Sequence, residues 1–176
     1  MTLVTPRLAL RSLELEDAAH FARLLGDDPD ALRQMAQMPM PCTEAAAMEW
    51  IATRLGPGAH IFAILQRSDG DFIGVVGFGG DPAMPEMGYW IGKAHRGKGH
   101  ATEAILCVVE HAARLGVPRI HADTFLDNPA SARVLAKAGF KTTGRVERIF
   151  PARGGRRELL RHERVPGNGQ AVSSSG

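Results

Sequence analysis

The clearest chemistry in this chain lies in one glycine-rich stretch, residues 88–101, which reads Gly-Tyr-Trp-Ile-Gly-Lys-Ala-His-Arg-Gly-Lys-Gly-His-Ala. A strand pattern runs into this stretch and a helical pattern runs out of it. The unpaired backbone N–H groups at the start of a helix form an anion site. Gly97 and Gly99 let a phosphate approach the backbone closely, and Arg96 and Lys98 add positive charge. The stretch therefore indicates a phosphate-binding loop.

Three kinds of phosphate site compete for this loop. A nucleotide-hydrolysing P-loop needs Gly-Lys-Ser/Thr, but His100 follows Gly99. A dinucleotide fold needs a third glycine and a later acidic residue, whereas here His-Ala-Thr follows the second glycine. The third is the pyrophosphate of coenzyme A. A helix that merely begins with glycines is the alternative without function, and the loop alone does not decide between these two.

The hydrophobic pattern predicts the elements that position the loop. A strand over residues 87–91, a helix over 98–116 and a strand over 119–125 form a β-α-β unit, which implies a parallel pair inside a mixed sheet. Before it the pattern predicts an edge strand over 3–13, a helix ending near Leu25, an ambiguous segment over 31–41, a helix from Thr43 to about Leu55, and a hairpin of strands 61–65 and 72–78. After it come a helix capped by Asn128 and ended by Gly139, and two strands joined near 154–155.

Two motifs resemble those of a known family. Residues 96–101 match the Gln/Arg-x-x-Gly-x-Gly/Ala motif of the GNAT N-acetyltransferase superfamily. The flanking Gly-Tyr-Trp-Ile and Thr-Glu-Ala are similar to the branch of ribosomal-protein N-terminal acetyltransferases, the RimJ/RimL type. Roughly 30 residues later, Asn128-Pro129-Ala130-Ser131, with Lys137-Ala138-Gly139-Phe140, resembles the second signature of that branch. The resemblance spans residues 3–163.

The resemblance implies a fold and a domain layout. The fold is a mixed α/β (α+β) one, a splayed and mostly antiparallel sheet of about six to seven strands flanked by about four helices. The domain covers residues 1–164. Residues 165–176 are rich in Pro, Gly, Ser and Gln, so we expect a flexible tail there.

The resemblance also implies acetyl-CoA as cosubstrate and places it on the chain. The pantetheine arm lies along the strand like an added strand, a backbone N–H near Ile91 polarises the thioester, and the loop amides hold the pyrophosphate. For Trp90 and Ile91 the functional claim concerns the backbone, since their side chains read as sheet core. The implied cofactor-binding residues are Trp90, Ile91, Gly92, Arg96, Gly97, Lys98, Gly99, His100, Ala101, Thr102, Asn128 and Ser131.

Two residues are the candidates for acid–base catalysis. Glu86, at the start of the strand that would carry the acyl group, is the candidate base, directly or through water. His121, Asp123 and water are the alternatives, and a surface carboxylate is the reading without function. Ser131 is the candidate acid, because members of this branch are thought to use a serine here. It could equally be a first-turn residue bonded to the backbone, leaving water or no protein acid.

Composition limits the remaining possibilities. The chain has 176 residues, a net charge of +2 and two cysteines, which suits one globular domain without a disulfide framework or zinc set. No metal is expected. There is no signal-peptide pattern and no apolar run of the ~18 residues that a membrane span needs. We therefore expect a cytoplasmic protein with no membrane partner, as monomer or homodimer.

Charge clusters and acceptor identity stay open at this stage. The C-terminal third is rich in arginine, and we favour a solvated face of the hairpin as its explanation. The alternative is an acidic partner, such as ribosomal RNA or the 3′-phosphate of coenzyme A. The arginines are Arg145, Arg148, Arg153, Arg156, Arg157, Arg161 and Arg164. RNA binding is disfavoured because that hairpin has Phe150 as its only aromatic residue. The acceptor is a protein N-terminus or a small amine, such as a polyamine, aminoglycoside or amino acid. The alternative function is a non-catalytic acyl-CoA sensor.

Overall fold

The computed structural model describes residues 1–56 and 58–167, and its sheet has eight strands in the order β1-β2-β3-β4-β5-β6-β8-β7. The strands are β1 (Thr2–Val4), β2 (Leu8–Ser12), β3 (His60–Gln66), β4 (Phe72–Gly79), β5 (Glu86–Ile91), β6 (Ile120–Phe125), β7 (Lys141–Phe150) and β8 (Gly155–Arg164). The α-helices are α1 (Ala18–Leu25), α2 (Pro29–Arg33), α3 (Glu44–Ala52), α4 (His100–Arg114) and α5 (Pro129–Lys137). All neighbouring strands are antiparallel except β5 and β6, so the predicted mixed, mostly antiparallel sheet is confirmed.

The N-terminal strand prediction was wrong in one respect, and this explains the extra strand. Residues 3–13 form two antiparallel strands, because a turn at Thr5 and Pro6 reverses the chain. Thr5 N–H donates to the Leu8 carbonyl at 2.9 Å, and Leu8 N–H donates to Thr5 Oγ1 at 2.9 Å. The fifth helix is α2, which begins at Pro29 and runs into the ambiguous segment 31–41. Asp28 caps it by accepting from the N–H of Ala31, with Pro29 in its first turn.

Helices cover both faces of the sheet. Apolar side chains of α4 and α5 share one core with the sheet, and those of α1, α2 and α3 share another core with the opposite face. Successive strand residues point to opposite faces. In β5, Met87, Tyr89 and Ile91 therefore pack towards α4 and α5, whereas Trp90 packs towards α1 and α3.

The parallel pair of strands separates almost immediately. β5 and β6 share one register pair, Glu86 with His121, and His121 N–H donates to the Pro85 carbonyl at 3.1 Å. On its other edge β5 stays paired with β4 along its whole length. The described residues place no strand against the rest of the free edge of β5, so the sheet opens there into a gap.

Both ends of α5 match the sequence prediction. Asn128 Oδ1 accepts from the N–H of Ser131 at 3.2 Å, which is an N-cap. Gly139 has φ +82°, and Phe140 N–H donates to the Leu135 carbonyl at 3.0 Å, which completes a Schellman ending.

The C-terminal boundary can be compared with the structure only in part. β8 ends at Arg164, where the predicted domain ends. Most of the predicted flexible tail, residues 168–176, lies outside the described residues, so that tail stays a prediction. Among the helices that the structure describes, none is both long and apolar enough to cross a membrane.

Candidate active site

The glycine loop before α4 keeps its amides available. Gly97 and Gly99 have φ of +73° and +80°, a left-handed backbone that side chains rarely adopt. The first intrahelical bond runs from Glu103 N–H to the Gly99 carbonyl at 3.1 Å. Among the described residues, the N–H groups of residues 97–102 have no acceptor. This run of amides at a helix start is the arrangement that binds anions.

Of the two cations predicted to add charge to the loop, Arg96 is engaged elsewhere. Its Nε donates to the Ile91 carbonyl at 2.8 Å, and its Nη2 donates to Asp28 Oδ2 at 2.7 Å. Burial alone raises the pKa of Asp28, but its bonds from Ala31 N–H and Arg96 outweigh burial and lower that pKa. Arg96 thus ties the end of β5 to α2, while Lys98 Nζ donates to the Ala94 carbonyl at 3.0 Å.

An arginine that sequence reasoning missed also stands beside the loop. Arg7 Nη1 donates to the Lys98 carbonyl at 2.8 Å, and its Nε pairs with Glu103 at 2.6 Å. Its Nη2 lies 3.3 Å from where a Cβ on Gly99 would be. Half of the Arg7 side chain is exposed, so a positive group faces solvent at the loop.

The backbone of β5 faces the gap at the predicted residues. Gly92 N–H donates to the Ile73 carbonyl at 2.8 Å, so by alternation Gly92 and Trp90 bond towards β4. The N–H groups of Tyr89 and Ile91 then point into the gap. The Trp90 side chain is core, with its ring 5.0 Å from that of Phe21.

Ser131, from the first turn of α5, meets Tyr89 from β5. Their hydroxyl oxygens are 2.7 Å apart. Burial raises the pKa of Tyr89 to about 12, although the bond to Ser131 acts in the opposite direction. Tyr89 is therefore a neutral phenol at physiological pH. The serine lies beside the only tyrosine of the chain.

Glu86 belongs to an ion-pair network on the other face of the gap. Its Oε1 accepts from Arg148 Nη1 at 2.7 Å, and Arg148 also reaches Asp123 Oδ2 at 3.4 Å. Arg161 binds both oxygens of Asp123 at 2.9 Å. The Glu86 carboxylate thus has an arginine partner. About a third of the Glu86 side chain stays exposed, and Oε2 has no partner among the described residues.

The two alternative bases, Asp123 and His121, differ in whether they have an atom free to accept a proton. Burial raises the pKa of Asp123, but the bonds and charge of Arg161 outweigh burial and hold that pKa below its ordinary value. Its side chain is 1% exposed, so Asp123 is a poor proton acceptor. His121 Nδ1 lies 3.2 Å from the Met84 carbonyl. Because a carbonyl only accepts, Nδ1 carries the hydrogen, and Nε2 of the neutral ring is an acceptor.

Among the described residues, Glu86, His121 and Asp123 form the one group whose spacing could hold a metal ion. Ligand atoms of Glu86, His121 and Asp123 lie within 4.8 Å of one another. Arg148 and Arg161 already donate to the carboxylates, and two guanidinium charges would oppose a cation there. The donor set fits an ion-pair network better than a metal centre.

A cleft of about 990 Å³ joins these groups. One wall carries Met35 and Met38 from the segment after α2, Trp50 from α3, and Arg54 just after α3. The other wall carries residues of β6, β7 and β8, and the floor includes Glu86, Gly88, Tyr89 and Ser131. The missing side chain at Gly88 leaves the floor open, since a Cβ there would meet nothing within 4 Å. The cleft therefore brings the candidate base and acid to one space.

Most of the arginines in the C-terminal third have partners inside the protein. Arg145 and Arg156 pair with Glu158 and Glu147 across the β7–β8 hairpin. Arg153 is buried and donates to the carbonyls of Leu32, Met35 and Met38, so it fixes the hairpin to the segment after α2. Arg164 donates to the Ala138 carbonyl and Arg157 to the Arg153 carbonyl. The predicted solvated face therefore holds for the exposed Arg145, Arg156 and Arg157, whereas the other four arginines are partly or fully buried.

Comparison with known proteins agrees with this architecture. Residues 7–141 match the family model of the acetyltransferase (GNAT) domain. The chain is 30% identical over 160 residues to the N-acetyltransferase p20 of Bacillus licheniformis, covering 87% of this chain and 89% of that protein. It is also 30% identical over 90 residues to the ribosomal-protein-serine acetyltransferase of Escherichia coli, about half of each chain (49%).

A solved structure gives the same fold. The RimL ribosomal alpha-N-protein acetyltransferase, in complex with coenzyme A, superposes with a TM-score of 0.82 at 19% identity, covering 94% of this chain and 98% of that one. At this identity the likeness shows the fold alone. The domain match and the p20 relative, together with the fold, show that the chain belongs to the GNAT acetyltransferase family.

Proposed function

We propose that the protein transfers the acetyl group of acetyl-CoA to a primary amine by direct attack in a ternary complex. The observation that carries this proposal is the gap between β5 and β6, which has free loop amides at one end and the cleft with Glu86 at the other. The amine nitrogen forms a bond to the thioester carbon, the carbon–sulfur bond breaks, and the thiolate takes a proton. Positioning and backbone donors can supply much of the rate.

The cofactor site is proposed on the residues expected from the sequence. The amides of residues 97–102 hold the pyrophosphate, with the side chains of Lys98 and Arg7 nearby. The pantetheine arm follows residues 90–92 in the gap, and the Ile91 N–H donates to the thioester oxygen. Asn128 offers its side-chain amide to the arm while its Oδ1 caps α5. The fold neighbour solved with coenzyme A supports this cosubstrate.

Glu86 is the proposed base. Its Oε2 has no partner among the described residues, and Arg148 holds its Oε1 in place. A base must reach the proton that it removes, and Glu86 lies on the cleft floor. His121, through Nε2, and water remain the alternatives. No step needs a metal, and the absence of one remains our proposal.

Ser131 is the proposed acid for the departing thiolate. It lies on the cleft floor and bonds to the neutral phenol of Tyr89. The Ser131 N–H donates to Oδ1 of the Asn128 cap. The Ser131 hydroxyl bonds to the Tyr89 hydroxyl, so it is not occupied by the hydrogen bond to the backbone that the sequence offers as the alternative. Tyr89 is then a positioning residue that acts through Ser131.

We propose a class of amine as the acceptor, together with a location and an oligomeric state for the protein. The relatives named for ribosomal-protein acetylation support an amine on a protein N-terminus, and a small amine is equally compatible with the cleft. Arg145 and Arg156 are paired with carboxylates of the hairpin and Arg153 is buried, which disfavours a nucleic-acid partner. A cytoplasmic domain over residues 1–164, as monomer or homodimer, completes the proposal.

Thiol release from acetyl-CoA tests the reaction. A panel of peptides with free N-termini and small amines is assayed with the wild-type protein and with Glu86→Gln, which keeps the size of the side chain. We expect amine-dependent release and a loss of roughly 10²-fold or more in kcat for the variant. Glu158→Gln is the matched control, because Glu158 pairs with Arg145 on the hairpin, away from the cleft. Acetyl-CoA binding without amine-dependent release would favour the non-catalytic sensor.

A further inference from the structure

The cleft offers very little free negative charge. Two carboxylates line it, those of Glu86 and Asp123. Arg161 occupies both oxygens of Asp123, and Arg148 bonds to Glu86 at 2.7 Å. Among the described residues, the one lining carboxylate oxygen without a donor is Glu86 Oε2. A single ammonium group can therefore be paired in the cleft, and a second has no carboxylate left.

The opposite wall carries a positive charge of its own. The Arg54 guanidinium lies 4.0 Å from the centre of the Trp50 ring, and Nη2 donates to Gln37 Oε1 at 2.8 Å. No described carboxylate pairs with it. An ammonium that reached this wall would meet a like charge in a partly desolvated space, where such repulsion is strong.

The acidic residues near the N-terminus, at positions 14, 16, 17, 27, 28 and 30, do not add negative charge to the cleft. Asp17 is bonded to Arg11 and Asp28 to Arg96, and Asp30 pairs with Arg33. None of the acidic residues at 14, 16, 17, 27, 28 and 30 lines the cleft. They cannot serve as subsites for additional ammonium groups of an acceptor bound there.

The walls instead offer apolar surface. Met35 and Trp50 are half-buried on one wall and expose part of their side chains, whereas Phe125 and Leu159 on the other wall are almost fully buried. Covering exposed apolar surface favours binding, and burying an unpaired charge against such walls opposes it.

From these four observations we propose that the acceptor is a primary monoamine with an apolar body, and that the cleft selects against polycations such as polyamines and aminoglycosides. The inference rests on the proposed function, because it concerns the amine that enters the same cleft. Its reacting ammonium binds at Glu86 Oε2 before losing its proton, and its body lies against Met35 and Trp50.

Two amines of equal length test this selection. Hexylamine and hexane-1,6-diamine differ in a second ammonium at the far end. With saturating acetyl-CoA, we expect kcat/KM for hexylamine to exceed that for the diamine by at least about tenfold, although the diamine has two reactive ends. Two peptides form the second arm: one has apolar residues after its free N-terminus and the other has lysine at its second position. This arm separates a protein acceptor from a small amine.

A pair of arginine variants locates the selection. Arg54→Gln removes the charge of the opposite wall and should narrow the ratio between hexylamine and the diamine by about threefold or more. Arg145→Gln, on the exposed hairpin, should leave the ratio at its wild-type value. Acetyl-CoA binding, measured by calorimetry, checks that both variants are folded.

The outcomes separate the two proposals. Equal or faster transfer to the diamine by the wild-type protein overturns the monoamine inference and leaves the acetyltransferase proposal intact. Tight acetyl-CoA binding with no transfer to any amine overturns the proposed function, and the acceptor class falls with it. A tenfold preference that Arg54→Gln narrows supports both.

Discussion

At the scale of single residues, the contact between Tyr89 and Ser131 changes the chemistry expected of the serine. A serine hydroxyl alone is a weak acid, and its proton can rotate away from the sulfur. Tyr89 keeps its proton because burial raises its pKa to about 12, so it can donate to Ser131 Oγ over their 2.7 Å separation. Either hydroxyl can donate in this contact, and the phenol oxygen also lies 3.4 Å from the Ser131 carbonyl. When the phenol donates to Oγ, the Ser131 proton is free to turn towards the cleft that Ser131 lines.

A double-mutant cycle tests this coupling. Ser131→Ala and Tyr89→Phe should each lower kcat, the second by roughly tenfold, because one positioning hydrogen bond is worth about 1 kcal/mol or somewhat more. KM for acetyl-CoA should stay within about twofold. The double variant should be hardly slower than Ser131→Ala, since residues that act as a unit are not additive. Losses that simply multiply would mean that Tyr89 does not act through Ser131.

The residue scale is also where prediction from sequence ended. Glu86 could be singled out because it begins the strand before the glycine loop. Its partner Arg148 is 62 residues away in the sequence. It is one of seven arginines between residues 145 and 164, and no local pattern shows which of them pairs with Glu86. Side-chain pairing across a sheet depends on register, which local patterns do not specify.

At the scale of elements, the glycine loop and α4 form one device. Gly97 and Gly99 set the loop so that the amides of α4 stay free, and Arg96 anchors it to α2. The sequence predicts these glycines, because glycine adopts this left-handed backbone far more readily than other residues. The sequence does not predict the anchor, because the motif assigns Arg96 to the anion site, whereas its side chain bonds to Asp28.

Gly97→Ala separates backbone strain from cofactor contact. A Cβ on Gly97 meets nothing within 4 Å, so the protein itself leaves room for it. Gly70→Ala is the matched control, because Gly70 has φ +80° in the β3–β4 turn and also faces open space. Both variants should lose roughly 1–2 kcal/mol of stability.

Acetyl-CoA affinity, measured by calorimetry, should distinguish the two variants. Gly97→Ala should weaken binding at least about tenfold, because the methyl group would occupy the place that we propose for the pyrophosphate. Gly70→Ala should bind as the wild type does. Equal affinities in the two variants would remove the pyrophosphate from this loop.

The sequence predicts an element boundary where its cause is local and misses it where the cause is a contact distant in the sequence. Asn128 and Gly139 mark α5 because capping is local chemistry. The N-terminal segment was read as one strand although Pro6 stands in it, because alternation alone does not show where a chain reverses. The role of Arg153, which holds the β7–β8 hairpin to three carbonyls after α2, depends on contacts more than a hundred residues apart and has no local signal.

At the scale of the whole molecule, buried histidines make the stability of the fold depend on pH. The core shared with α4 contains His111, which is 6% exposed, lies 3.3 Å from His60 and packs near Phe62 and Phe78. Burial, followed by the charges of His60 and Arg114, lowers the pKa of His111 below 6.5. His162 is buried beside Thr124, and burial lowers its pKa as well, against the effect of Asp123.

The direction of the pH effect follows from these shifts. Below pH 6.5 the unfolded chain binds protons on both histidines, whereas the folded protein resists them until the pH falls through its lower pKa values. Stability is therefore fully present above pH 6.5 and is lost as the pH falls. The carboxyls of Asp28 and Asp123 also have lowered pKa values, but their contribution is lost only below about 3.8.

Denaturant unfolding between pH 7.5 and 5.5 tests the histidine contribution, because the contribution of Asp28 and Asp123 is lost only at lower pH. The wild-type free energy of unfolding should fall with pH, by at most about 1.4 kcal/mol per pH unit for each histidine. His111→Phe keeps a ring in the core without a titrating group, so its curve should be flatter than that of the wild type. Its absolute stability at pH 7.5 can rise or fall with packing, and the slope alone decides. Parallel curves would show that His111 is not the group that senses the pH.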